Sequence, residues 1–275
     1  MAVQSSRTKG ALSHLILIGF AVTALFPLLL VGLNSLKLST QIIDNPLAFP
    51  KSFTWSNFQQ AWQYGHFGRG FVNSILLTAV TVLIVLVCSS LAGYVLAGKK
   101  VRAWPAIMIY FMVSMTVPIQ LFLFPLYFGF AHLHLLGNVF AVGVVIAAMN
   151  MPLSVFLMRT FFLNVPRELE EAATVDGAST WQILLQVMLP IVSPGLITVS
   201  IIVGLNAWNE FLISSTFLQG NYTATLGYLS MNGTFSTNEG VMMAGAVILI
   251  VPVVVVFVIL QRYVVDGLVS GAVKA

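Results

Sequence analysis

The sequence predicts an all-α, polytopic membrane protein with six transmembrane helices. Three observations carry this. Hydrophobic residues make up 59% of the 275 and charged residues only 7%, with a mean hydropathy of +0.98. Soluble domains typically carry about 25% charged residues. Charge-free intervals long enough for a bilayer recur along the chain, and about 20 apolar residues suffice for one helical crossing. The alternating ten-residue segments of a membrane barrel are absent. Backbone groups in lipid must bond within their own element, which leaves helices.

The first span is placed at 14–36, inside Gly10–Leu36, which has no formal charge. Arg7 and Lys9 precede it as in a signal peptide. However, the interval exceeds the usual apolar core of roughly 7–15 residues and contains Pro27, so it reads as an uncleaved span. Lys37 to Gly70 holds Pro46 and Pro50 and then SFTWSNFQQAW, a turn-rich loop followed by a short amphipathic helix near the interface. The second span is 71–98. Ala103–Met158 has room for two more, 104–129 and 139–161, parted by the polar break AHLHLLGN. A charged segment follows, then span five at 191–213, a Thr-, Asn- and Gly-rich segment from Ser214 to Glu239, and span six at 241–262. The tail from Val264 to Ala275 reads as small and flexible.

Basic residues set the orientation. With both termini inside, the inner segments hold Arg7, Lys9, Lys99, Lys100, Arg102, Arg159, Arg167, Arg262 and Lys274; the outer ones hold Lys37, Lys51 and Arg69. This predicts cytoplasmic N and C termini and a cytoplasmic 163–190 loop. The net charge of +4 is too small and dispersed for nucleic-acid binding. Cys88 has no partner cysteine and reads as a packing residue. His132 and His134 have no Cys, Asp or Glu nearby and read as loop histidines. No metal cluster or catalytic constellation is visible. The sequons at Asn221 and Asn232 read as chance matches.

Half of the eight acidic residues lie within nine positions of the inner loop: Glu168, Glu170, Glu171 and Asp176. Pro166 suits a helix start. Leu169, Ala172, Ala173 and Val175 give one mainly apolar face. Asp176-Gly177 signals a turn, and Ser179 or Thr180 can cap a second helix. Trp181, Leu184, Leu185 and Met188 recur at amphipathic spacing, and Pro190 ends that helix. Such a helix–turn–helix can press into a groove of a soluble partner.

These residues resemble a known family. Glu171-Ala172-Ala173, Gly177 three residues on, and Val187 to Pro190 nine further match EAA–x3–G–x9–I–x–LP, with Val187 for Ile. This is the EAA loop of ATP-binding cassette (ABC) importer permeases. ELEEAATVDGAS is similar to the carbohydrate-uptake, MalG-like branch. NSLK, RGFVNS, LAGYVLA, PLYFGF, LMRTFF, WNEFL and GLVSGAVKA extend the match nearly end to end. The resemblance implies the type I importer permease fold, one transmembrane domain over 1–275, a permease core over 71–262 and a coupling loop over 163–190. It assigns Glu168, Glu171, Ala172, Ala173, Asp176, Gly177, Ala178, Leu189 and Pro190 to a surface that docks on an ATPase subunit. It implies two ATP-binding subunits holding ATP and Mg, a homologous second permease in a heterodimer, an extracytoplasmic solute-binding protein, and a bacterial inner-membrane location. The implied solute is a sugar or sugar-like molecule.

The chain has no G-x-x-x-x-G-K-[ST] phosphate loop, so ATP hydrolysis is expected elsewhere and no cofactor is expected on this chain. Asn150, Asn209 and Glu210 are candidates for the translocation path. Glu210 lies near the outer end of span five, where an ionisable group is a functional candidate; the other reading is an interfacial carboxylate anchored beside Trp208. Asn73, Ser74 and Asn150 can bond between helices. The alternative function is an ion-coupled secondary transporter, which would favour mid-span carboxylates, broken helices and inverted repeats.

Overall fold

The computed structural model describes the backbone of residues 2–98, 101–234 and 238–272, and the side chains of 13–98, 101–232, 238–259 and 261. Among the described residues there are helices and no strands. In order they are α1 (Ala2–Asn34), α2 (Ser39–Asp44), α3 (Ser56–Tyr64), α4 (Phe67–Ala97), α5 (Trp104–Ser114), α6 (Leu123–His132), α7 (Val139–Leu163), α8 (Arg167–Val175), α9 (Thr180–Ile191), α10 (Ser193–Trp208), α11 (Leu212–Phe217), α12 (Ala224–Thr234) and α13 (Glu239–Ala272). Four of these are long and apolar enough to span a bilayer: α1 over Ser13–Asn34, α4, α7, and α13 over Glu239–Ile259. Two bent pairs, α5 with Ile119–His132 and α9 with α10, bring the number to six if each is one span.

The bends correct two expected spans. The third, expected as one helix over 104–129, breaks after Ser114 and turns by 90°. Pro118 lacks an N–H and disfavours helix at the residue before it; it sits at ψ 130. Ser114 and Thr116 hydroxyls donate to the Phe111 and Val113 carbonyls at 2.8 Å, satisfying the frayed end. The fifth span is expected over 191–213. Its helix starts at Ser193, after a 74° bend at Val192 and Pro194, and stops at Trp208. Two further expectations change. Ser214–Glu239 is largely helical, in α11 and α12, and α13 runs on through the supposed flexible tail to Ala272. Lys99, Lys100 and Lys274, used above for orientation, lie outside the described residues, as do the side chains of Arg7, Lys9 and Arg262.

The chain forms two compact units. The first comprises residues 1–67 and 227–252. Its anchor is Asn57, whose Nδ2 donates to the carbonyls of Ser35 at 2.9 Å and Lys37 at 2.8 Å. Lys37 is itself buried, its Nζ donating to the Pro46 carbonyl at 3.0 Å. Ser39 donates to Oδ1 of Asn238, which also accepts from the Val241 N–H at the start of α13. The α1 side chains from Ser13 to Leu29 are exposed.

The second unit comprises residues 68–226 and 253–275. Lipid tails are as apolar as leucine, so helix association in a membrane rests on close packing and polar contacts. Both occur here. At Gly93 of α4, an added Cβ would lie 2.9 Å from the backbone nitrogen of Arg159 on α7, so only glycine permits this approach. One core cluster joins Val85 and Tyr94 of α4, Met158 and Phe162 of α7, Val199 and Val203 of α10, and Ile183, Leu184 and Met188 of α9. A second joins Leu77, Phe130, Val142, Ile146, Ala207, Ile213 and Phe217. Asn73 donates to the Tyr222 carbonyl at 2.8 Å, and Ser74 Oγ accepts from the Ala224 N–H at 2.9 Å.

Candidate functional site

The 163–190 segment folds into an elbow fixed at both sides of its turn. Helix α8 begins after Pro166, which stands one place before the first helical residue. At its end Gly177 takes φ +82°. Its N–H donates to the Thr174 carbonyl at 3.1 Å, and the Ala178 N–H donates to the Ala173 carbonyl at 3.0 Å. This is the Schellman stop, which wants glycine at the left-handed position. Ser179 then caps α9 in a reciprocal box: its Oγ accepts from the Gln182 N–H, and Gln182 Oε1 accepts from the Ser179 N–H at 2.7 Å. Two orphan donors are met at once.

Packing seats the elbow on the second unit. Ala173, Ala178 and Leu189 lie against the cluster around Tyr94, Phe162 and Ile183. Residues 183–188 widen into a π-helical turn and bury Ile183, Leu184 and Met188. The Tyr94 hydroxyl donates to Oε1 of Glu170 at 2.8 Å, tying α8 to the end of α4. Tyr94 is buried, with its ring edge-on to Phe162 at 5.6 Å. Arg159, beneath, donates Nε to the Leu96 carbonyl and lies over the Trp104 ring at 5.2 Å.

The outer face of the elbow is unlike its packed side. Of the expected apolar face of α8 only Ala173 is tucked in; Leu169, Ala172 and Val175 are exposed, Val175 at 87%. On α9 the packed residues are Ile183, Leu184 and Met188, while Trp181 and Leu185 stand 63% and 56% exposed. Glu168, Glu171 and Asp176 are exposed as well. Pro190 is exposed too, next to half-buried Leu189. An open groove of about 470 Å³ is lined by Gly98, Arg167, Glu170, Glu171, Thr174 and Val175. The elbow therefore presents both apolar side chains and carboxylates outward.

The other sequence candidates lie apart from it. Both carboxylate oxygens of Glu210 are occupied: Oε1 accepts from the Ile213 N–H at 2.6 Å, and Oε2 from the N–H and hydroxyl of Ser214, each at 2.8 Å. Glu210 thus starts α11. Asn209 donates to the Leu205 carbonyl. Asn150 accepts from Asn206 at 3.0 Å, a partner the sequence reading missed. Asn221 donates its amide to the Gly137 carbonyl at 2.8 Å. No group of three or more His, Cys, Asp or Glu able to hold a metal occurs among the described residues.

Known proteins resemble this chain in sequence and fold. Residues 89–269 match the family described as binding-protein-dependent transport system inner membrane component. The arabinooligosaccharides transport system permease protein AraQ of Halalkalibacterium halodurans is 32% identical over 277 residues, covering 98% of this chain and 99% of AraQ. The melibiose/raffinose/stachyose import permease protein MelC of Bacillus subtilis is 31% identical, covering 99% and 100%. A crystal structure of a bacterial ABC transporter that imports the acidic polysaccharide alginate contains a chain of the same fold, with TM-score 0.78, 24% identity and coverage of 96% and 99%. These relatives overturn the ion-coupled alternative. The two broken spans therefore belong to a binding-protein-dependent permease, and the chain is a member of the binding-protein-dependent transport system inner membrane component family.

Proposed function

We propose that this chain is one permease subunit of an ATP-driven sugar importer in a bacterial inner membrane, with the 163–190 elbow as its docking piece for an ATP-binding subunit. The elbow's outward face carries the proposal. Exposed Val175, Trp181 and Leu185 together with exposed Glu168, Glu171 and Asp176 suit a cleft on a soluble protein. The packed side supports the same role. A locked turn seated on α4, α7 and α10 moves as one piece with them, so a displacement of the partner reaches the spans.

The mechanism is alternating access. ATP and Mg bind in two companion subunits, whose closure shifts the docked elbows and opens the pathway outward. A solute-binding protein delivers sugar from outside, and hydrolysis resets the assembly. Each nucleotide state biases one of two packed arrangements. A second, homologous permease completes the path, and the elbow and both termini face the cytoplasm. The names of the relatives point to oligosaccharides, so arabinotriose and melibiose are the first solutes to try.

The test is site-directed cross-linking. Val175→Cys in a Cys88→Ser background, co-expressed with the ATP-binding subunit carrying single cysteines along its cleft, is expected to give a disulfide-linked pair in inside-out vesicles. Labelling of Val175→Cys from the periplasmic side in intact spheroplasts would remove the proposal.

A further inference from the structure

The apolar helices α7 and α10 carry a cluster of amides that their packing does not absorb. Asn150 is the twelfth of the 25 residues of α7, close to its middle. Its Nδ2 donates to the Ile146 carbonyl at 2.9 Å, and its Oδ1 accepts from Asn206 Nδ2 at 3.0 Å. Asn206 and Asn209, three residues apart on one face, are both exposed. Asn209 gives its Nδ2 to the Leu205 carbonyl at 2.9 Å. Among the described residues no donor reaches the Oδ1 of either.

Three further observations fall in the same stretch. The indole N–H of Trp208, between those two amides, is buried without a partner. The hydroxyl of Thr78 on α4 is also buried without one; its methyl lies 3.8 Å from where a Cβ on Gly204 would stand, two residues before Asn206. Thr160, Thr198 and Ser200 in this unit bond the carbonyl four residues back; Thr78, like Ser89 on the same helix, makes no such bond. Finally, α10 stops at Trp208 and the chain turns through Asn209–Phe211 before α11. Asn206 is tied to the middle of α7, so the helix ends within the depth of the spans. Irregular backbone is tolerated there where it is buried in protein or lines a water-filled cavity. Amides shown to hydrocarbon would lose water and gain no partner.

We infer that Asn150, Asn206 and Asn209 line the aqueous path through this unit and exchange hydrogen bonds with the hydroxyls of the passing sugar. The inference rests on the proposed role as a sugar permease. An amide offers both donor and acceptor, and each sugar hydroxyl is both. A neutral ladder of amides binds such a solute without trapping it by charge.

The test uses the complete importer, with its ATP-binding subunits, companion permease and solute-binding protein, in proteoliposomes. In a Cys88→Ser background, Asn206→Cys is expected to react with the charged thiol reagent MTSET in at least one nucleotide state. A position covered by lipid or by the companion permease would react only with a membrane-permeant maleimide, and that result overturns the inference. Asn206→Ala and Asn150→Ala are expected to raise the KM for uptake of arabinotriose or melibiose about tenfold, while ATP hydrolysis stimulated by the binding protein stays within about twofold of wild type. If both variants instead lower yield and hydrolysis together at unchanged KM, the pair is an interhelical tie and the inference fails. If the wild-type importer takes up neither sugar, the sugar assignment fails, and the MTSET reaction alone decides whether these residues line water.

Discussion

Gly177 offers the sharpest test of the elbow. Its φ of +82° lies where a side chain strains the backbone, and a Cβ built there meets nothing within 4 Å. The effect of a substitution is therefore torsional and not steric. A left-handed conformation costs an ordinary L-residue about 1–2 kcal/mol, less for Asn, whose short side chain bonds locally. Gly177→Val should fall at the upper end, Gly177→Ala near 1 kcal/mol, and Gly177→Asn lower still. A loss of 1–2 kcal/mol lowers the population of the correct turn about 5–30-fold relative to misfolded elbows. The assay is titration of detergent-solubilised permease with purified ATP-binding subunit, read as Kd, alongside sugar uptake in proteoliposomes. The expected ranking is wild type, Asn, Ala, Val, with Kd for Val raised at least fivefold and membrane levels unchanged. Wild-type affinity for Val, or equal losses for Asn and Val, would refute the reasoning, because both outcomes separate binding from the turn.

Four other outcomes follow from the contacts. Glu171 is exposed on the outward face, so Glu171→Lys should abolish uptake while the permease stays in the membrane, as read by immunoblot and transport. Tyr94→Phe removes a 2.8 Å hydrogen bond to Glu170; bonds to charged groups contribute about 1.5–3 kcal/mol, so α8 should become more sensitive to limited proteolysis, and a Glu170→Ala partner should show non-additivity in a double-mutant cycle. Gly93→Val forces α4 from the α7 backbone and should lower the Tm of the solubilised permease by several degrees or prevent accumulation. Asn57→Ala strands the Ser35 and Lys37 carbonyls and should destabilise the first unit by about 1–3 kcal/mol, seen as a lowered Tm with Gly177-dependent docking intact.

The elbow was legible in the sequence because its signals are local. Asp176-Gly177 and Ser179 announce a turn and a cap through chemistry confined to a few residues, and the structure uses them as a Schellman stop and a capping box. Spans one, two, four and six were legible for a different reason: long uncharged runs have few alternatives in lipid. Direction was not legible. A charge-free interval measures length, so the bend at Pro118 was hidden in an apolar run, although the proline and the hydroxyls of Ser114 and Thr116 marked it. Periodicity showed that α8 and α9 were amphipathic without saying which side the protein itself covers. Leu169 and Val175 belong to the apolar stripe and yet face outward. Long-range polar ties were out of reach: Tyr94 and Glu170 are 76 residues apart, and Asn150 and Asn206 are 56 apart. The one available hint for Asn206 was an amide three positions before Asn209 in an otherwise apolar helix.

The central claim is that spans of this chain move because a nucleotide-driven partner pushes the 163–190 elbow. Sealed proteoliposomes holding the complete importer test it directly, with radiolabelled sugar and binding protein outside. Uptake should require ATP and Mg inside, stop when Glu171 is replaced by Lys, and ignore imposed proton or sodium gradients. Uptake driven by such a gradient with no nucleotide present would contradict the account.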